Sequence, residues 1–253
     1  MAVARLANPV RRSPLHEQVA RTLSLRIIRR EIEPGTVLPN EDALCQQFDV
    51  SRTVIREAIR VIATKGLVQV RPRIGTRVCN PAQWELSDSV LLKWRMESEP
   101  DIKLVQDLAE LRNMIEPMAA GLAAERASET DIAVMTESYA DMEAATTIDE
   151  HIGADIRFHL SVIEASGNDL VVSTLRPVIE NMLGSSFRRF IRSLEKTKKS
   201  LPVHKAVLRA ITDGDSRSAI LAMHKVIGRG AEDIEKEWPA FREMASSARR
   251  RFD

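Results

Sequence analysis

Residues 51–66 read SRTVIREAIRVIATKG, and two patterns run through them at once. Ile55, Ala58, Ile59 and Ile62 recur at i, i+3, i+4 and i+7, the spacing of one apolar helix face. Arg52, Arg56 and Arg60 are spaced by four and share the opposite face. Ser51 is a good N-cap and Gly66 a good stop, so the stretch predicts a helix over 52–65 with a core side and a cationic side.

The flanks complete a motif. Asn40 is placed to cap a short helix, Glu41 to Phe48, whose Leu44 and Phe48 share a face. Leu15, Val19, Leu23 and Ile27 recur every fourth residue, which predicts an amphipathic helix over 14–31 stopped by Pro34-Gly35. Residues 1–13, with Arg5, Pro9, Arg11 and Arg12, lack periodicity and read as a basic arm. Downstream, Leu67–Val70 and Thr76–Val78 flank Arg71-Pro-Arg-Ile-Gly75, a hairpin pattern whose tip needs a glycine.

Three helices and a hairpin make a winged helix-turn-helix. In such motifs the N-terminal turn of the second motif helix enters the major groove, where arginine forms bidentate bonds to guanine. Ser51, Arg52, Thr53 and Arg56 are therefore the expected base-reading contacts. Arg71, Arg73 and Gly75, at the hairpin tip, are the expected wing contacts to phosphate or an adjacent minor groove. Charge agrees with double-stranded DNA as partner: residues 1–80 carry 14 Lys and Arg against 7 Asp and Glu, while the remainder carries 23 against 29. A basic small domain beside an acidic larger one suits a polyanion at one end only.

Beyond Pro81 no strand pattern appears. Helices are expected over 84–97, 101–126, 129–144, 149–166, 168–192, 197–213 and 216–240, with breaks at Pro100, Ser166-Gly167-Asn168 and Asp213-Gly214-Asp215. The fold class is thus mainly α: a winged helix-turn-helix domain (1–80), a linker with a helix (81–100) and an all-helical bundle for effector binding and dimerisation (101–253). Trp84 and Trp94 are expected to pack the linker helix between the domains. Ile102, Val105, Leu108, Ile115, Met118 and Leu122 read as bundle core. Cys45 and Cys79 are too few for a disulfide framework and have no CxxC partner, which excludes zinc fingers. With no signal-peptide pattern or apolar span, the expected location is the cytoplasm, with no membrane partner.

The helical half carries its own chemistry. Asp155 and His159, four apart, present a carboxylate and an imidazole on one helix face, and His204 from a later helix brings a third ligand. A divalent metal such as zinc fits this set, and so does a hydrogen-bonded polar pocket without metal. Arg112 supplies a fork suited to a carboxylate, so Arg112, Asp155, His159 and His204 are the candidate effector-binding residues and a small carboxylate the expected ligand. Arg157 and Arg188 read as surface or structural, His16 and His151 as ordinary surface residues, and the Lys196–Lys199 cluster as a solvated loop or helix start.

Leu38-Pro-Asn-Glu-Asp-Ala-Leu44, the run from Val50 to Arg60 and Lys65-Gly-Leu-Val-Gln-Val-Arg71 resemble the winged helix of GntR-family transcription regulators. Where that family usually carries a DNA-contacting arginine this chain has Asp42, whose charge opposes phosphate. Glu110-Leu-Arg112-Asn-Met-Ile-Glu116, Asp155-Ile-Arg-Phe-His159 and His204-Lys-Ala-Val-Leu with Gly214-Asp215 resemble the FadR-type subgroup with its helical FCD ligand domain. The linker from Asn80 to Leu86, with Leu92-Lys-Trp94, looks closest to the branch of repressors that respond to D-galactonate. The resemblance implies a homodimer that represses a sugar-acid catabolic operon until its effector releases it. Lactate, hexuronate, gluconate and acyl-CoA are the alternative effectors. In metal-binding members a last histidine follows the one matching His204 by about six helical turns, and here that position is Val226; His224 lies roughly 200° round the helix from it. Two other classes fit parts of the pattern. One is a metal-dependent hydrolase built on Asp155, His159 and His204, for which no HExxH, GxSxG or phosphate-loop motif exists. The other is an architectural DNA binder whose helical half only dimerises.

Overall fold

The computed structural model describes residues 13–98, 101–181, 183–184 and 193–249, which divide into two compact units, one ending at Ser98 and one beginning at Glu99. The expected basic arm (1–13, apart from Ser13), Pro100 and Arg188 lie outside the described residues.

In the first unit, α1 (Leu15–Ile28), α2 (Glu41–Phe48) and α3 (Arg52–Thr64) precede a two-stranded antiparallel sheet, β1 (Val68–Arg71) and β2 (Gly75–Val78). Both predicted caps form: the Ala43 amide donates to the Asn40 side chain at 2.9 Å, and the Val54 amide to Ser51 Oγ at 3.4 Å. All four apolar positions of α3 are buried. On α1, Val19, Leu23 and Ile27 are buried but Leu15 is exposed, because the helix begins there and its first turn overhangs the core. The helix also ends three residues before the expected 31, where Arg30 turns to a φ of 61°.

Residues 35–38, which follow the stop at Pro34-Gly35, run beside β2. The Gly35 amide donates to the Val78 carbonyl at 2.8 Å, the Val78 amide to Thr36 at 2.9 Å and the Leu38 amide to Thr76 at 2.8 Å. This short pairing covers one edge of the hairpin, a use of backbone that too few residues signal in sequence. At the tip, Arg73 and Gly75 take φ values of 63° and 103°, the region where glycine is favoured.

The stretch expected to be helical over 84–97 is helical only from Ser89, as α4 (Ser89–Glu97), because Asp88 caps it by accepting from the Leu91 amide at 2.7 Å. Leu91, Trp84 and Trp94 belong to the core of the first unit. Lys65, nearly buried, donates to Asp88 at 2.7 Å and lies 5.4 Å from the Trp94 ring centre. Burial would raise the Asp88 carboxyl, but Lys65 together with the Leu91 and Val90 amides outweighs it and holds the group below its ordinary value.

The second unit contains α5 (Ile102–Arg126), α6 (Glu129–Ala144), α7 (Ile148–Ala165), α8 (Asp169–Asn181), α9 (Leu194–Lys198), α10 (Leu201–Thr212) and α11 (Ser216–Arg249). Ser128 and Thr147 open α6 and α7 with capping boxes. The helix expected over 197–213 is broken into α9 and α10 at Lys199-Ser200, and the last helix runs past 240 through Pro239. Helix α5 packs along α11 and α7. One core gathers Phe158, Val162, Met135, Met142, Val207 and Met223, and a second gathers Ile163, Leu175 and Ile179. The stripe read as core on α5 is only partly so: Val105 and Leu108 are buried, but Met118 is exposed. The buried face instead runs through Arg112, Glu116, Ala119, Ala120 and Ala123, two charged residues continued by small ones.

Candidate functional site

Two sites can be built from the residues up, one in each unit. In the first, Ser51, Arg52, Thr53 and Arg56 open α3, with Arg52, Thr53, Arg56 and Arg60 exposed on its outer side. The first turn of α2 faces them. Asp42 pairs with Arg52 at 2.7 Å and Glu41 with Arg56 at 2.9 Å, all four side chains well exposed. Asp42 thus has a local partner. Such exposed pairs contribute about 0–1 kcal/mol and yield readily to a phosphate or a guanine edge. On the wing, Arg71 Nε donates to Gln69 at 3.0 Å, and Arg73 is exposed at the turn.

In the second unit, α5, α7, α9, α10 and α11 line a cavity of about 340 Å³. Arg112, Asp155, His159 and His204, named from sequence, all meet there, and Val226 also lines it. His159 Nδ1 is 2.6 Å from Glu116 Oε2, and Asp155 Oδ1 is 3.0 Å from His204 Nε2 and 3.8 Å from His159 Nε2. Arg112 donates through Nε to Glu116 and has Nη2 3.3 Å from the His159 ring nitrogens. Glu116 is fully buried and Arg112 is 4% exposed.

The charges support one another. Burial alone would raise the Glu116 carboxyl, but Arg112 and His159 outweigh it and hold the group down to about 2. Asp155 follows the same balance: burial would raise it, and His204, His159 and Arg112 bring it far below the usual carboxylate range. The cavity therefore presents Asp155 as an anion and Arg112 as a cation largely committed to Glu116.

The ring nitrogens decide what the cluster can hold. His204 Nδ1 lies 3.0 Å from the Ser200 carbonyl, which only accepts, so in the neutral ring Nδ1 carries the proton and Nε2 a lone pair. That Nε2 is buried and has no hydrogen-bond partner among the described residues, and its close neighbour is Asp155 Oδ1 at 3.0 Å. His159 is oriented likewise, with Nδ1 on the Glu116 carboxylate. Two lone pairs and a carboxylate oxygen, all within 4.8 Å of one another, fit a divalent cation, with Glu116 and the Ser200 carbonyl as outer orienting groups.

Sequence reasoning missed several participants. Glu116 stands one turn after Arg112, and the i, i+4 spacing was the available signal. His151, read as a surface residue, is 1% exposed and lines the cavity, because Ile148–Ala165 turns its 151, 155 and 159 positions to one face. Lys196 and Lys199 are exposed at a helix start, as expected, and with Arg229 they also border the cavity. Arg157 pairs on the surface with Asp141 at 2.7 Å, His16 is half-buried on α1, and His224 is exposed and hydrogen-bonds Asn113 at 2.9 Å rather than replacing Val226.

Comparison with known proteins agrees in both halves. Residues 15–78 match the model of bacterial regulatory proteins of the gntR family, and residues 107–229 match the FCD domain. The chain belongs to the GntR family of regulators. It is 32% identical over 213 residues to the uncharacterized HTH-type transcriptional regulator YieP of Escherichia coli K12, covering 83% of this chain and 90% of that protein. It is also 32% identical over 222 residues to the galactonate operon transcriptional repressor of the same strain, covering 87% and 96%. In fold it resembles the solved structure of Lar, which controls expression of the Listeria monocytogenes agr system, with a TM-score of 0.65 at 19% identity, over 89% of this chain and 99% of that one. As a GntR regulator with an FCD domain, the chain is a DNA-binding transcription regulator and not an enzyme. Among the described residues no helix is long and apolar enough to cross a membrane.

Proposed function

We propose that this regulator is a homodimeric repressor of a sugar-acid catabolic operon, released when a small hydroxylated carboxylate enters the cavity of the second unit. The observation that carries the reading is the buried cluster of Asp155, His159 and His204 beside Arg112, at the wall of a cavity large enough for a sugar acid. Similarity to the galactonate operon repressor along most of the chain supports the effector class.

At the DNA end, Arg52 and Arg56 read base edges, Ser51 and Thr53 fix the first turn of α3 against the backbone, and Arg71, Arg73 and Gly75 bring the wing to the duplex. At the effector end, Asp155, His159 and His204 would hold a divalent metal such as zinc, which would supply Lewis-acid attraction for an anionic ligand. Arg112, Lys199 and Arg229 attract the carboxylate. Binding shifts the population of paired DNA heads away from the spacing that two half-sites require.

The test is fluorescence anisotropy of the purified protein on DNA upstream of its own gene at fixed salt, with D-galactonate, D-gluconate, D-galacturonate, L-lactate or acyl-CoA added, each with and without chelator. Release by a sugar acid that chelator abolishes supports the full reading. Release by acyl-CoA alone, or by none, removes the effector assignment; release indifferent to chelator removes the metal. His204→Ala is expected to keep operator affinity and lose effector release. Arg52→Ala is expected to weaken specific binding by about 1–3 kcal/mol with the fold unchanged, and unaltered affinity would refute the placement of the reading helix.

A further inference from the structure

His151 has no part in the cluster just described, yet it is among the most buried polar residues of the second unit. It stands one turn before Asp155 on α7 and lines the same cavity. Its Nδ1 lies 3.1 Å from the Met142 carbonyl, an obligate acceptor, so this nitrogen donates and the ring is locked in the tautomer with a lone pair on Nε2. Burial lowers its pKa, which favours that neutral form. Nε2 is buried and has no hydrogen-bond partner among the described residues. It is also outside the group of ligand atoms that lie within 4.8 Å of one another, so it stands apart from the metal-type cluster.

A buried acceptor without a donor costs about 1–3 kcal/mol, and a ligand that supplies the donor recovers it. A carboxylate cannot, because it too only accepts. An alkyl chain leaves the lone pair unsatisfied. A hydroxyl group can supply the missing donor.

We propose that His151 is a specificity-determining residue that accepts a hydrogen bond from a hydroxyl of the effector, so that the cavity selects hydroxy acids over plain carboxylic acids. This rests on reading the cavity as the effector site. It assigns the anionic end of the ligand to Arg112, Lys199 and Arg229 and the hydroxylated part to the α7 wall.

The experiment is calorimetric titration of wild type, His151→Leu and His151→Gln, with circular dichroism to confirm that each variant is folded. Whichever of D-galactonate, D-gluconate and L-lactate binds wild type most tightly is compared with its monodeoxy analogues; for lactate the analogue is propionate. In wild type, one analogue is expected to bind roughly tenfold more weakly than the parent acid, the worth of one lost buried hydrogen bond. In His151→Leu the parent should fall by a similar factor and that analogue should show no further loss. His151→Gln, whose amide can donate to Met142 and accept from the ligand, should restore part of the discrimination. Zinc affinity should be unchanged in both variants.

If every deoxy analogue loses the same factor in His151→Leu as in wild type, His151 does not read a hydroxyl, while the proposed effector class survives. A large loss of zinc affinity in His151→Leu makes the residue a metal ligand and overturns the assignment. If none of the three hydroxy acids binds wild type, the effector reading itself fails, and this inference with it.

Discussion

Glu116→Ala is expected to destabilise the second unit by about 3–5 kcal/mol, the usual cost of removing one partner from a buried ion pair. Glu116 is fully buried between Arg112, itself 4% exposed, and His159. Removing its carboxylate leaves a guanidinium without its counter-charge and an imidazole without the group that orients it. Because whole domains are stable by only about 5–15 kcal/mol, the variant should unfold at clearly lower urea concentration or precipitate at physiological temperature. Urea titration followed at 222 nm measures this, and an unchanged midpoint would show that the pair contributes nothing. The double change Arg112→Met with Glu116→Leu should cost far less than Glu116→Ala, since it removes both charges and keeps the volume filled.

The same pair sets an acid limit. A carboxyl held below its unfolded value stabilises the fold at high pH and loses that contribution as pH falls through the folded value. For Glu116 the window runs from its ordinary value of 4.5 down to about 2. Wild type should therefore lose stability across that range, and Glu116→Gln should show a shallower decline.

Gly66→Ala is the second large effect expected, and it falls on the first unit. Gly66 has a φ of 71°, and a Cβ placed there would stand 2.2 Å from the carbonyl oxygen of Gln83. The left-handed conformation costs a residue with a Cβ about 1–2 kcal/mol. The overlap is with backbone, so the turn at Pro81–Gln83 must move, and with it Trp84, which is part of the core. A total of about 3 kcal/mol or more is expected by thermal unfolding, together with weaker DNA binding, because the α3 terminus and β1 both leave from this point. A variant as stable as wild type would mean that segment 81–84 is free to shift.

Much of this protein is legible in its sequence. The α3 pattern fixed a helix with one apolar and one cationic face because both periodicities are local, and the caps at Asn40 and Ser51 formed as their side-chain chemistry required. Asp155 and His159 were readable as a pair because an i, i+4 spacing is a geometric fact of one helix. Other features depend on segments distant in sequence. Whether His204 reaches Asp155 is decided by how α10 packs, and whether His151 is surface or cavity wall by which side of α7 faces inward. Arg112 was legible as a cation, but its burial against Glu116 was not, since apolar periodicity passes over charged residues on a core face. The sequence by itself determined the element types and the reading face of α3, because short-range sterics and hydrogen bonding settle those. Only the tertiary structure decided which polar groups are desolvated together, because burial is a property of the packed helices and turns three scattered histidines and two carboxylates into one site.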